Sequence, residues 1–349
     1  MDYKIYKQDS YWVIESERAI FIEDCCYDVT TDTFVIAVKH NKGGDYVGIN
    51  REFEIVQTIA EEQGLNRKFV LAPDKSVWIG MSALCTEKNG EVILPLYGRE
   101  RVEKEIVKSD LGVDYSFFWN SCHWGYVNDF WGDKPDKLLQ YQFDKKGLYK
   151  TRKTYKMDEL YHAVPFVLED SIYLCQKDFE NGIIKIYKMT EPGKPEEVCL
   201  ISSKLELSLC RLINVDEAGY KIIGVDGDEL HMLSADVQGK VLEEKLLYRL
   251  NNTKFYSIID YKVSKVGAPV TAALVYAGEN QSGVIEIKDS DAKEVLWRKN
   301  NVLHINDAEI ETENKFTFHI MTDGSENYYI ATNIQGGKSK KTYIVKEEM

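Results

Sequence analysis

The chain lacks the long apolar segments that characterise exported and membrane-spanning proteins. No apolar stretch approaches the roughly 18 residues needed to cross a bilayer, and the start, Met-Asp-Tyr-Lys-Ile-Tyr, has no positive region followed by an apolar core. Cysteine is scarce and odd in number, with seven scattered residues at positions 25, 26, 85, 122, 175, 199 and 210. Several of them lie inside apolar runs, which indicates reduced, buried thiols and not a disulfide framework. We therefore expect a cytoplasmic protein with no membrane association.

Basic residues are also too few for a general nucleic-acid-binding protein. The chain has 44 Lys and Arg against 57 Asp and Glu, a net charge of −13. Binding to nucleic acid depends on a basic field that releases counterions from phosphates, so no nucleic-acid partner is expected. The acidic balance instead favours a protein partner with a basic surface, or a small polar ligand.

Catalytic and metal-binding motifs are absent. There is no Gly-x-Ser-x-Gly elbow and no His-Glu-x-x-His pair. Residues 336–339 resemble only the end of a phosphate-binding loop, and residues 226–229 are too short for a calcium loop. Cys25 and Cys26 are too isolated for a zinc site. We predict no metal and no cofactor, and the sequence assigns no catalytic residue.

What the chain does have is a repeat with strand-like patterning. Hydrophobic runs restart after short polar turns at intervals of 43 to 50 residues, at Phe34, Val77, Trp124, Ile172, Tyr220, Val270 and Phe316. A period in the forties with several short strands per unit is typical of β-propeller blades. We therefore predict an all-β protein, a single β-propeller most simply of seven blades with four antiparallel strands each. Six or eight blades, or an irregular β-sandwich, remain alternatives.

The fourth unit shows the pattern most clearly. Residues 163–168, 172–175, 183–187 and 197–201 read as four short strands separated by turns. The second turn contains Asn181-Gly182, a strong hairpin signal because such turns need positive φ angles. The repeated units do not carry the Trp-Asp, kelch or sialidase signatures of known repeat families.

The repeats cover almost the whole chain, so residues 1–349 are predicted to form one domain. Residues 1–16 fall outside the count and read as an additional strand or hairpin, over residues 3–6 and 11–14. Pairing of one terminus with the last blade removes an exposed sheet edge, and we expect this segment to help close the ring in that way.

Polar groups at the starts of units define a first candidate site. If first strands line the central channel, these groups form a ring at its mouth that could hold a small polar ligand. The candidates are His162, His304, Asp307, Arg67, Arg211 and Tyr256. A polar channel filled only with water is the simpler interpretation of the same residues.

A second candidate site is a docking face. Turns between second and third strands are acidic, and the third unit is rich in aromatic residues. The candidates for this face are Asp226, Asp228, Asp323, Trp119, Trp124 and Trp131. The simpler interpretation is that Asp favours turns for backbone reasons and that the aromatic side chains fill the core between blades.

These patterns favour a non-enzymatic propeller that acts as a protein- or ligand-binding platform. The alternative is an enzyme, a hydrolase, lactonase or lyase acting on a small or sugar-like substrate at the channel mouth. Fold alone does not decide between them.

Overall fold

The computed structural model of the chain describes residues 2–28, 31–41, 43–61, 67–71, 77–81, 90–92, 102–104, 115–120, 122–128, 134–143, 149–168, 170–250, 253–264, 271–288, 291–323, 326–334 and 336–346. All regular structure in these ranges is β-strand, and every strand pairing is antiparallel. Within the same ranges, no helix is long and apolar enough to span a membrane.

The first half of the chain supplies the strands of sheets A to E. The chain begins with β1 (Tyr3–Gln8) and β2 (Tyr11–Ser16) of sheet A. Sheet B follows, with β3 (Phe21–Asp28), β4 (Thr33–His40), β5 (Gly43–Ile49) and β6 (Ile55–Glu61). Two two-stranded sheets come next, sheet C with β7 (Arg67–Leu71) and β8 (Val77–Met81), and sheet D with β9 (Gly90–Val92) and β10 (Val102–Lys104). Sheet E contains β11 (Tyr115–Trp119), β12 (Cys122–Val127), β13 (Asp136–Phe143) and β14 (Tyr149–Met157).

The second half supplies sheets F, G and H and completes sheet A. Sheet F contains β15 (Val164–Leu168), β16 (Ser171–Asp178), β17 (Ile183–Met189) and β18 (Glu196–Ser202). Sheet G contains β19 (Ser208–Asp216), β20 (Gly219–Asp226), β21 (Glu229–Ala235) and β22 (Val241–Arg249). Sheet H contains β23 (Phe255–Ser264), β24 (Thr271–Gly278), β25 (Gln281–Lys288), β26 (Asp291–Lys299), β27 (Val302–Ile305) and β28 (Ala308–Glu311). The last strands are β29 (Phe316–Thr322), β30 (Asn327–Asn333) and β31 (Lys341–Lys346).

The turns follow the local chemistry of the sequence. The β16–β17 turn places Gly182 at φ +69°, and the β20–β21 turn places Gly227 at φ +62°. A side chain would meet no neighbouring atom at either position, so the backbone angle alone favours glycine there. The four strands predicted for the fourth unit are confirmed as sheet F, in the order β15-β16-β17-β18.

The first strands of the sheets form an inner ring. Strand β3 contacts β7 on one side and β29 on the other, and contacts run from β11 through β15, β19 and β23 to β29. The contacts therefore run from β7 through β3, β29, β23, β19 and β15 to β11, in the order of neighbouring sheets. This arrangement places the innermost strands around one axis.

The hydrophobic core confirms the radial arrangement, because each cluster lies between two consecutive sheets. Separate clusters fill the spaces between E and F, F and G, G and H, H and A, and A and B. A sandwich would bury one layer between two sheets, whereas here both faces of sheets A, F, G and H are covered. The described sheets therefore pack face to face in a ring.

The last sheet corrects one sequence prediction. The repeat count puts Phe316 at the stage that Ile172 occupies in the fourth unit, the start of a second strand, but Phe316 begins β29, the first of the strands β29, β30 and β31 in sheet A. The reason is the hairpin β27–β28, which extends the outer edge of sheet H beyond β26 and shifts the count by one strand. Strand β31 follows β30, and β2 and β1 complete the sheet. The N-terminal hairpin thus pairs with the C-terminal strand.

Buried polar contacts connect neighbouring sheets. The Ile22 amide donates to Thr332 Oγ1 at 2.9 Å between sheets B and A. The Tyr248 hydroxyl donates to Glu294 at 2.7 Å between sheets G and H, and the Tyr329 hydroxyl donates to Glu286 between sheets A and H. These contacts join neighbouring sheets at their inner, middle and outer strands and thereby support the inner ring.

Candidate functional site

Charged side chains line the inner ring and are accessible to water. Lys262 and Asp260 lie on β23, the innermost strand of sheet H, yet their side chains are 46% and 39% exposed. Strand β23 pairs with β24 on its outer side and contacts β19 and β29 to either side. The exposed surface therefore lies along the axis or at its ends. We call the space enclosed by the inner strands the central channel.

One side of the channel carries a group of opposite charges. Lys262 Nζ lies 3.6 Å from Asp260 Oδ1. The neighbouring Asp260 raises the pKa of Lys262, and Cys25 and Asp24 on β3 act in the same direction. Since β3 belongs to sheet B, the Lys262 side chain interacts with groups beyond the adjacent sheet A. Lys262 is therefore a charged ammonium group at neutral pH.

His319 on β29 lies at the same side of the channel. Burial lowers its pKa, although Asp260 and a hydrogen bond with the Ile22 backbone oppose this effect. Its Nε2 atom is buried and has no hydrogen-bond partner among the described residues. A neutral imidazole with an unpartnered nitrogen can accept a proton or a hydrogen bond from a molecule in the channel.

The neighbouring inner strand β19, on the other side of β23 from His319, contributes Arg211. The Arg211 guanidinium carbon lies 5.9 Å from the centre of the Tyr261 ring on β23. The Tyr261 hydroxyl donates a hydrogen bond of 2.9 Å to the Pro165 carbonyl oxygen on β15. Tyr261 therefore connects sheet H to sheet F across the inner edge of sheet G, beside Arg211.

The thiols of Cys25 and Cys26 are not activated as nucleophiles. Cys25 and Cys26 lie on β3, and burial raises the pKa of both thiols, an effect that Asp24 increases. A protonated thiol is a poor nucleophile and a poor metal ligand. Among the described residues, no group of three or more His, Cys, Asp or Glu side chains could hold a metal ion.

The structure distributes the predicted channel-mouth residues over several places. Arg211 lies on the inner strand β19, and Tyr256 lies on β23, where it is 62% exposed. His162 lies two residues before the start of β15, and its backbone amide donates to Asp136 Oδ1 at 3.0 Å. Arg67 lies in β7, but its side chain is outside the described part of the structure.

Two of these residues are far from their expected position. His304 was placed at the start of a first strand, but it lies on β27 at the outer part of sheet H, where it stacks on Trp297 at 4.6 Å. Its Nδ1 lies 3.4 Å from Glu309 of β28. Asp307 occupies the exposed turn between β27 and β28. The inserted hairpin explains the error, since it occupies the segment that the repeat count assigned to the next inner strand.

The predicted docking face also changes. Trp119 and Trp124 are each 1% exposed, and their rings pack 5.2 Å apart in the core between sheets E and F. The Asp323 side chain has no exposed surface, and its Oδ2 atom forms an ion pair with Nη1 of Arg51, 3.0 Å away in the β5–β6 connection of sheet B. These three residues are therefore not available as a contact surface. Asp226 and Asp228 remain partly exposed at the β20–β21 turn, and Trp131 lies outside the described residues.

Sequence reasoning missed the residues that give the channel its charge, namely Asp24, Asp260, Lys262 and His319. A usable signal was present in residues 255–264, Phe-Tyr-Ser-Ile-Ile-Asp-Tyr-Lys-Val-Ser. Two opposite charges interrupt what otherwise reads as a first strand. Charges on an innermost strand face either a neighbouring sheet or the channel, so they were candidates for the channel wall.

Comparison with known proteins gives the fold. No protein-family model and no curated protein matches the chain. Among solved structures, the chain is similar to oligogalacturonate lyase from Vibrio parahaemolyticus, with 12% identity, a TM-score of 0.54, and coverage of 99% of this chain and 96% of that chain. It is also similar to a protein from Lactobacillus plantarum, with 11% identity, a TM-score of 0.47, and coverage of 85% of this chain and 95% of that chain.

A further similarity is to prolyl oligopeptidase B from Galerina marginata, with 10% identity and a TM-score of 0.46 over 95% of this chain and 56% of that chain. At 12% identity, the similarity to the lyase concerns the fold and not the activity. It extends over nearly the whole length of both chains and agrees with the ring of sheets described above. The protein has an all-β fold of the propeller type, as the repeat predicts, while the number of seven blades stays a prediction.

Proposed function

We propose that this propeller binds a small polar molecule in its central channel. The observation that carries the proposal is the exposure of Lys262 and Asp260 on the innermost strand of sheet H. Charges on a strand enclosed by other sheets are costly unless water or a ligand solvates them. Arg211 and His319 lie on the two inner strands that flank β23, so polar groups converge on the axis, as they do in small-molecule sites.

The acidic turns give weaker support to a protein-docking function. Of the proposed docking residues, Trp119, Trp124 and Asp323 are buried. Asp226 and Asp228 alone form a small acidic turn, and a protein partner with a basic surface therefore takes second place to a channel ligand. The six described cysteines are free and three of them are buried, which fits a reducing compartment and keeps a cytoplasmic location as a prediction.

Calorimetric titration tests the proposal. The probes are D-galactose, D-galacturonate, glycine and L-arginine, which differ in charge but are all small and polar. At least one probe should bind the native chain, and Lys262→Met should weaken that binding by roughly tenfold, the effect of losing a favourable interaction of about 1.4 kcal/mol. Lys221→Met is the matched control, because Lys221 is exposed on β20. Equal affinities of the native chain and the Lys262 variant for the probe would refute ligand binding in the central channel.

A second candidate function is catalysis in the same channel. The specific observation is His319, whose pKa is lowered by burial and whose Nε2 is unpartnered among the described residues. A neutral imidazole can act as a general base. The similarity of the fold to an oligogalacturonate lyase suggests oligogalacturonate as the first substrate to test.

The assay for this second candidate follows the ultraviolet absorbance of an unsaturated product after addition of oligogalacturonate. His319→Gln should abolish any observed rate while leaving binding of galacturonate intact. If the native chain produces no absorbance change, while calorimetry still detects binding, lyase activity on oligogalacturonate is excluded and ligand binding stands.

A further inference from the structure

Arg211 is a buried cation without a counterion among the described residues. Its side chain is 8% exposed, and Nη1 donates a hydrogen bond of 3.0 Å to the carbonyl oxygen of Cys210, the preceding residue. The Nε atom is buried and has no hydrogen-bond partner. No carboxylate in the described part of the chain forms an ion pair with it. A guanidinium group offers five donors, and most of them are unused here.

The surroundings of Arg211 do not compensate its charge. The Tyr261 ring lies beside the guanidinium group, but its hydroxyl hydrogen is already donated to the Pro165 carbonyl oxygen. Lys177 is a second positive charge near Arg211. Burial raises the pKa of the Cys175 and Cys210 thiols, and the charges of Lys177 and Arg211 both act against this effect. The local potential is therefore positive, and burial of an unpaired charge is costly. Residues that hold a ligand are often unfavourable for stability in this way.

We infer that Arg211 binds a carboxylate group of the channel ligand. This inference rests on the proposed function and specifies the chemical class of the ligand. A planar guanidinium group with free donors matches a carboxylate in a two-point geometry. A carboxylate also carries a single negative charge, which matches the single positive charge of Arg211. Near Lys262, Asp24 and Asp260 would repel additional negative charge, so the rest of the ligand is expected to be neutral and polar.

Thermal melting and calorimetry test the inference with matched ligands. The probes are D-galacturonate, its methyl ester, which keeps the shape without the charge, and acetate, each compared with sodium chloride at equal ionic strength. Galacturonate and acetate should raise the melting temperature of the native chain above the chloride value. Galacturonate should bind roughly tenfold more tightly than its ester, because the ester loses one charge-assisted contact worth about 1.4 kcal/mol.

The decisive variant is Arg211→Met, which keeps an unbranched apolar stem and removes the charged guanidinium group. It should lose the stabilisation by acetate and bind galacturonate no better than the ester. Without added carboxylate it should melt at or above the temperature of the native chain, because an unpaired buried charge has been removed. The control is Arg249→Met, an exposed arginine on the outer strand β22, which should keep the full response to carboxylate.

The results separate this inference from the proposed function. If Arg211→Met retains the carboxylate response, or if the native chain responds equally to acetate and chloride, the inference is wrong. In that case the channel function stands as long as Lys262→Met still weakens binding of a neutral probe. If Arg211→Met loses the response while Lys262→Met changes nothing, Arg211 binds a carboxylate but the wider channel site does not exist.

Discussion

Asp136 is expected to be a major stabilising residue of the ring. It lies on β13 of sheet E with no exposed surface. Its carboxylate accepts hydrogen bonds from the Tyr126 hydroxyl at 2.7 Å and from the backbone amides of His162 and Ala163 at 3.0 and 2.9 Å. The two amides belong to the segment that leads into β15, so one carboxylate attaches sheet F to sheet E.

The structure gives the size of the effect. Asp136→Ala would leave three donors without their acceptor, and each unsatisfied buried group costs about 1–3 kcal/mol. Because water and small shifts of Tyr126 can relieve part of this cost, we expect a loss of about 3–5 kcal/mol in the free energy of unfolding. Asp136→Asn keeps one acceptor oxygen and should cost less, about 1–3 kcal/mol. Tyr126→Phe removes one donor only and should cost about 1 kcal/mol.

Urea denaturation followed by tryptophan fluorescence measures these differences. Trp119 and Trp124 lie in the core between sheets E and F and report on the contact that Asp136 supports. The control is Asp158→Ala, since Asp158 is exposed in the same connection between the sheets and should change stability by less than about 0.5 kcal/mol. A native-like midpoint for Asp136→Ala, or the same loss for the alanine and asparagine variants, would refute this reasoning.

Three further predictions concern the same ring. Deletion of residues 1–16 removes β1 and β2 and uncovers the edge of β31. The melting temperature should fall, and the shortened chain should self-associate in size-exclusion chromatography. An unchanged melting temperature and elution volume would show that the hairpin does not help to close the ring. Burial lowers the pKa of His319 in the folded state below its ordinary value of 6.5. Below pH 6.5 the unfolded chain therefore binds a proton at His319 more readily than the folded chain does, and the free energy of unfolding decreases as the pH falls. His319→Gln should therefore flatten the decline of the denaturation midpoint between pH 7 and pH 5, and a slope equal to that of the native chain would contradict this. Arg51→Met leaves the buried carboxylate of Asp323 without this ion pair and should cost about 3 kcal/mol, whereas a loss below about 1 kcal/mol in urea denaturation would show that the pair is unimportant.

The sheet architecture was readable from the sequence where turn chemistry and strand alternation agree. Sheet F is the best example, because Asn181-Gly182 determines the hairpin and the flanking strands alternate between buried and partly exposed residues. The N-terminal strands were readable as an addition to the repeat, and β2 pairs with β31 in the structure. Local signals of this kind need no knowledge of distant contacts.

The position of the last sheet was not readable for a physical reason. The segment 302–311 has the alternation and the turn of an ordinary hairpin, and it contains a histidine like the one before β15. Only its pairing with β26 identifies it as an extension of the outer edge. Alternation specifies a strand but not its neighbour, so a count of strands cannot detect an inserted hairpin.

The candidate site was readable only in part. Arg211 was predicted to lie on a first strand, and it does so on β19. Arg211 points to a ligand because it has no counterion among the described residues. That property depends on contacts with β15 and β23, which the sequence does not give. The same holds for His319, whose unpartnered nitrogen is a property of the folded ring.

The distribution of acidic residues provides the strongest reason to look for function at the axis. Asp136 and Asp323 lie close to turns and resemble exposed docking residues in the sequence, yet both are buried and attach one sheet to the next. Asp260 lies in the middle of an inner strand, where a buried structural role would be expected, yet it is partly exposed beside Lys262. If function required the acidic rim, Asp226→Asn and Asp228→Asn would abolish binding of a basic partner and leave the channel probes unaffected. We expect the opposite result, in which these two variants bind galacturonate like the native chain and the Lys262 and Arg211 variants do not.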